Sequence, residues 1–144
     1  MNEYAVGDIL ASRVVTFTRA DLLAYAGASG DGNLIHQDES VAKSVGLPGV
    51  IAHGMLTMGA AVQPVVDWIA AAVPGARIAE YGVRFTRPVI VDGDGGAEVT
   101  IEAKLAAVDE AARTARVDLT VSAAGQTVLG KAQVFVADLP TEAA

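Results

Sequence analysis

From His53 to Val73 the chain carries one long run that is apolar on nearly every helical face, and period-two alternation dominates the residues after it. A helix with apolar side chains all round must be surrounded by other protein or by lipid. Thr57, Gln63, Pro64 and Asp67 interrupt the run and no basic residues flank it, so it falls short of the ~18 uninterrupted apolar residues of a membrane span. The expectation is a central helix enclosed by protein, with Pro64 kinking it or removing one internal hydrogen bond. No membrane role is expected.

The rest of the chain supplies the enclosure. Ala97, Val99, Ile101, Ala103 and Leu105 alternate with Glu98, Thr100, Glu102 and Lys104, which gives a strand one apolar and one wet face. Ala115, Val117, Leu119 and Val121 repeat the pattern, and Val128, Ala132, Val134 and Val136 mark a third strand. Asp109-Glu110-Ala111-Ala112 and Ala123-Ala124-Gly125 are short enough for hairpins. Arg77 to Val91 reads as a further strand that Pro88 bends or ends, and Asp8 to Phe17 as the first. Thr18, with Asp21 three residues on, caps a helix carrying Leu22, Leu23, Tyr25 and Ala26, which Gly27 and Gly30 end. Asp38 or Ser40 starts a short helix that stops near Gly46-Leu47-Pro48-Gly49. One sheet around one helix, an α+β domain, fits this order. Residues 1–137 read as a single domain and 138–144 as a flexible tail.

With 144 residues, 52% of them hydrophobic, a mean hydropathy of +0.41 and only 19% charged, the chain has more apolar surface than one core absorbs. The surplus points to a subunit interface, and hence a dimer. A net charge of -7 repels nucleic acid and anionic membranes, so neither is an expected partner. Cysteine is absent, which removes disulfides, thiolate nucleophiles and thiolate metal sites. The first residues, Met1 to Asp8, lack the basic start and apolar run of a signal peptide, so a cytoplasmic location is expected.

Polar chemistry concentrates in Ser29-Gly30-Asp31-Gly32-Asn33-Leu34-Ile35-His36, a stretch of turn-forming residues with no sustained period. A carboxylate and an imidazole held together can activate one water molecule, and the free N–H groups of a helix start can polarise a carbonyl. Each residue also has a plain reading: Asp31 as an ordinary turn residue, His36 as a histidine satisfied by a loop carbonyl, Asn33 as a brace, His53 as helix entry or packing. Asp31, His36, Asp38 and His53 show neither helical His spacing nor cysteine, and an EF-hand from Asp31 fails at His36 and Ala42. No metal is expected. Asp92-Gly93-Asp94-Gly95-Gly96 reads as a solvated turn, and no serine lies in a nucleophile elbow. Arg77, Arg84 and Arg87 can meet phosphates of a ligand or form a solvated strand face. Leu56, Met58, Val62, Val65 and Val66 read mostly as core.

The Ser29-to-His36 stretch, Ile51-Ala52-His53-Gly54-Met55 and Tyr81-Gly82-Val83-Arg84-Phe85-Thr86-Arg87-Pro88-Val89 together resemble the three motifs of the MaoC-like, R-specific enoyl-thioester hydratases and dehydratases. The likeness runs from near Gly7 to about Val136. It implies a hot-dog fold and a lyase that interconverts (3R)-hydroxyacyl and trans-2-enoyl thioesters of coenzyme A or acyl carrier protein. It implies Asp31 and His36 as the acid/base pair, the Gly54 N–H as oxyanion donor, Asn33 and His53 in support, and Arg84 and Arg87 near substrate. It also implies no cofactor, and a homodimer or a heterodimer with a related hot-dog subunit. Leu34 departs from the family's usual proline, so the loop loses a locked φ and gains an N–H needing a partner. A hot-dog thioesterase and a non-catalytic acyl-binding or partner subunit are the competing readings.

Overall fold

Thr18 ends the first strand and starts the first helix. Its hydroxyl accepts the Asp21 N–H at 3.1 Å while the Asp21 carboxylate accepts the Thr18 N–H at 2.8 Å. This reciprocal cap separates β1 (Ile9–Phe17) from α1 (Arg19–Ser29). In the computed structural model, which describes residues 4–141, α1 runs through Gly27 and ends at Gly30, whose φ of 78° is left-handed. A 3₁₀ turn (Leu34–His36), a short α2 (Glu39–Ser44) and the long α3 (Gly54–Ala72) come next. Asp38 caps α2; bonds from the Ser40 hydroxyl first, and from the Val41 N–H, hold its carboxyl below the ordinary aspartate range.

Four strands complete the chain: β2 (Arg77–Phe85), β3 (Ala97–Asp109), β4 (Thr114–Ala123) and β5 (Gln126–Ala137). β2 stops at Phe85, earlier than expected and short of Pro88, which cannot donate to a ladder. The sheet is antiparallel throughout, in the order β1-β3-β4-β5-β2. Ala124 and Gly125, with φ of 50° and 73°, make the two-residue turn whose twist suits a β4–β5 hairpin. The outer pairings join distant segments, Phe17 with Ala97 and Arg77 with Ala137. α3 touches all five strands. The result is the hot-dog arrangement, a sheet around one central helix.

The burial of α3 corrects one expectation. Thr57, Ala61, Pro64, Val65 and Trp68 are buried, a single stripe at helical spacing that rests on Val99, Ile101, Leu105, Val117 and Val121. The opposite side of α3 is open within one chain, and Met55 and Val66 are exposed. Among the helix residues read as core, Val65 is fully buried while Leu56 and Val62 are half-buried. Composition shows which faces are apolar, but one sheet can cover only one of them. By length and apolar content alone Gly54–Ala72 could cross a membrane; its buried stripe is docked on protein instead.

α3 continues through Pro64 without a break, so the proline costs the bond to the Ala60 carbonyl and no more. Nearby carbonyls gain side-chain donors: the Tyr81 hydroxyl on Met58 at 2.7 Å and Gln63 Nε2 on Gly59 at 3.3 Å. Burial pushes the Tyr81 phenol up to about 12. Arg13 pairs with Asp67 at 2.7 Å and ties β1 to α3.

Asp138 and Leu139, read from the sequence as the start of a flexible tail, are held by the fold. Asp138 pairs with Arg77 at 2.7 Å, and Leu139 is buried, exchanging bonds with Arg113 through both its N–H and its carbonyl. Residues 142–144 lie outside the described residues.

Candidate active site

The left-handed Gly30 turns the chain out of α1 into a loop held by its own side chains. Ser29 Oγ accepts the Asp31 N–H at 3.1 Å, Asp31 Oδ1 the Asn33 N–H at 3.2 Å, and Asn33 Oδ1 the Ile35 N–H at 3.1 Å. Each side chain bonds the backbone two residues on, so the loop is rigid without sheet or helix. Asn33 is thereby occupied as a brace. Leu34 opens the 3₁₀ turn, where an N–H has no partner within the helix and a proline would lose nothing. The leucine side chain at this position is exposed.

The second motif is laced to the first through Ile51. Its N–H donates to the Ile35 carbonyl at 3.3 Å, and its carbonyl accepts from His36 Nδ1 at 2.7 Å. A carbonyl can only accept, so Nδ1 carries the proton and the neutral ring presents an unprotonated Nε2. That nitrogen faces Asp31 Oδ2 at 3.9 Å. The gap is too long for a direct hydrogen bond and suits one water bonded to both at ~2.8 Å. The His36 side chain is 8% exposed and that of Asp31 52%, so a dry base meets a wet carboxylate.

His53 precedes α3 and makes no side-chain bond to the helix. Its ring is turned the other way, with Nε2 on the Asp31 carbonyl at 3.1 Å and its face on the His36 ring. The first N–H groups of α3, starting at Gly54, therefore keep no side-chain acceptor and sit at the positive end of a 19-residue helix.

Gly54 is glycine for a reason the sequence does not reveal. The absent side chain leaves no open space: a Cβ there would lie 2.8 Å from Cε1 of Phe85, whose ring occupies the room. A cavity of about 290 Å³ on one side of this contact is lined by His36, Thr57 and Arg87 among others. A second, of about 470 Å³, is lined by Tyr25, Ser29, Asp31, His53 and Met55. Gly54 and Phe85 line both. Phe85 lies inside the third motif, yet the sequence pattern assigns it no role, because its exposure and the end of β2 at this residue appear only in the fold.

Arg87 lines the His36 cavity, its guanidinium bonded to the Thr127 carbonyl at 3.3 Å. Arg84 lines neither cavity. Tyr81 and Val83 pack on the core, while Arg84 is exposed beside an irregularity in the β2–β5 register.

Asp31, His36 and His53 bring ligand-type atoms within 4.8 Å of one another. An ion must lie in the plane of each imidazole that binds it. The two rings stack with planes only 24° apart and centroids 3.8 Å apart, so those planes meet far from either nitrogen. The two stacked rings therefore cannot ligate one ion together.

The model of the MaoC like domain matches residues 5–125 of the chain. The chain belongs to this MaoC-like family. It is 39% identical to the 3-hydroxyacyl-thioester dehydratase X of Mycobacterium tuberculosis over 61% of this chain and 32% of that protein. A solved MaoC-like dehydratase superposes with a TM-score of 0.87 at 40% identity, covering 94% of this chain and 41% of the other. The chain thus spans about a third to two fifths of these larger relatives. The (R)-hydratase from A. caviae involved in PHA biosynthesis superposes at full length, with a TM-score of 0.76 and 26% identity, over 97% of this chain and 100% of that one.

Proposed function

We propose that the chain hydrates trans-2-enoyl thioesters to (3R)-hydroxyacyl thioesters and catalyses the reverse dehydration. The observation that carries this reading is the 3.9 Å separation of Asp31 Oδ2 and His36 Nε2 beside the free helix start at Gly54. The thioester oxygen accepts the Gly54 N–H, which draws electron density from C3 as negative charge grows on oxygen. A single such donor contributes ~10²–10³ in rate. A water held between Asp31 and His36 adds its oxygen to C3, one of its protons passes to the pair, and a proton is delivered at C2. The sum is enoyl thioester plus water giving hydroxyacyl thioester, with no redox change. Whether Asp31 or His36 moves a given proton is a property of the pair.

Arg87, at the rim of the His36 cavity, suits the anionic arm of a coenzyme A or carrier-protein thioester. The open apolar side of α3, with Met55 and Val66 exposed, supports pairing with a second hot-dog subunit. The test is loss of the conjugated enoyl absorbance of trans-2-butenoyl-CoA on mixing with the purified chain, read beside free thiol. Absorbance falls without thiol release if the reading is right. Thiol release would make the protein a thioesterase, and binding without either change an acyl-binding subunit.

A further inference from the structure

We propose that Phe85 is the specificity-determining wall of this site, admitting thioesters unsubstituted at C2 and excluding those branched there. The inference rests on the hydratase reading and adds to it the class of acyl group accepted.

Phe85 is the last residue of β2, and it is 57% exposed, so core packing does not explain its position. Its ring lies against Gly54, with Cε1 and Cδ1 at 2.8 and 3.1 Å from where a Cβ would stand. A thioester oxygen bonded to the Gly54 N–H places its carbonyl carbon about 4 Å from that nitrogen. C2 and sulfur, the two atoms bonded to this carbon, are the next substrate atoms out from the Gly54 position that the ring covers. C3 is one bond further on, toward Asp31 and His36. A methyl group on C2 meets the ring, whereas a longer chain beyond C3 does not.

The two cavities support the same assignment. They share Gly54 and Phe85 and nothing else, so the ring stands over the helix start where the cleft holding Asp31 meets the one holding His36 and Arg87. A thioester bonded to the Gly54 N–H lies against the side chain that both clefts share.

The test compares kcat/KM and calorimetric binding for trans-2-butenoyl-CoA and its 2-methyl homologue in the native chain, Phe85→Leu and Phe85→Ala. One extra carbon against a filled apolar wall is discriminated by about 10–200-fold. That preference for the unbranched thioester is expected to shrink about tenfold in Phe85→Ala, with Phe85→Leu in between. An unchanged ratio in folded variants overturns the proposal, and if Phe85→Ala does not fold, Phe85→Leu decides. If the native chain turns over neither thioester, the hydratase reading falls while the binding ratio still judges Phe85. A preference that narrows in the variants supports the wall, and equal or absent binding by the native chain overturns it.

Discussion

His36 and His53 stack face to face, with ring centroids 3.8 Å apart and planes inclined by 24°. The contact joins two motifs far apart in the chain, and His53 also holds the Asp31 carbonyl at 3.1 Å while Tyr25 packs its edge at 4.7 Å. One buried side chain thus touches both Asp31 and His36. His53→Ala is expected to lower kcat about 10²-fold through misplacement, with a smaller change in KM. His53→Gln, which restores a donor toward Asp31 but not the stack, should fall between. A KM effect with kcat intact would show that His53 contributes only to binding.

In the proposed mechanism Asp31 and His36 hold one water between them, so their effects should not multiply. Asp31→Asn and His36→Ala are each expected to lose about 10²–10⁴ in kcat, with the double variant close to the worse single one. Losses that multiply across the double-mutant cycle would mean that the two act at separate steps.

Gly54→Ala forces the Phe85 ring away. The added methyl meets a ring that already fills the space, and the overpacking should cost about 1–3 kcal/mol in stability. Adding Phe85→Ala should recover the lost stability in urea titrations. A double variant less stable than Gly54→Ala alone would show that the ring contact itself stabilises the fold.

Gly96 faces backbone instead of a side chain. Its φ is 69°, and a Cβ there would collide with the Phe17 carbonyl oxygen, which is backbone of β1. Gly96→Ala should destabilise the chain by about 2 kcal/mol or more in urea unfolding, because strain and collision add. A loss below half of that would mean β1 and β3 part easily at this end.

The sequence is most legible where structure is local. Alternation in Ala97–Leu105 marks β3 because each side chain's face is set by its own position, and Thr18 with Asp21 marks a cap complete within four residues. Asp31 and His36 could be read together since only a short stretch of turn chemistry separates them. What the pattern does not carry is pairing across distance: that β2 lies beside β5, that His53 stacks on His36, or that Phe85 fills the space left at Gly54. The open side of α3 and the anchoring of Leu139 belong to the same class, since both depend on what covers a residue rather than on what it is. Leu34 is the converse case. The local rule correctly flags a lost proline, and the 3₁₀ turn supplies a position where the extra N–H does no harm.

The most direct test of the account is hydration of trans-2-butenoyl-CoA in deuterated water, with the configuration at C3 and the deuterium at C2 determined in the product. The expected result is the 3R alcohol carrying one deuterium at C2, formed by the native chain and nearly abolished in Asp31→Asn. A 3S product, or turnover that Asp31→Asn leaves intact, would contradict the assignment of Asp31 and His36 as the pair that adds water.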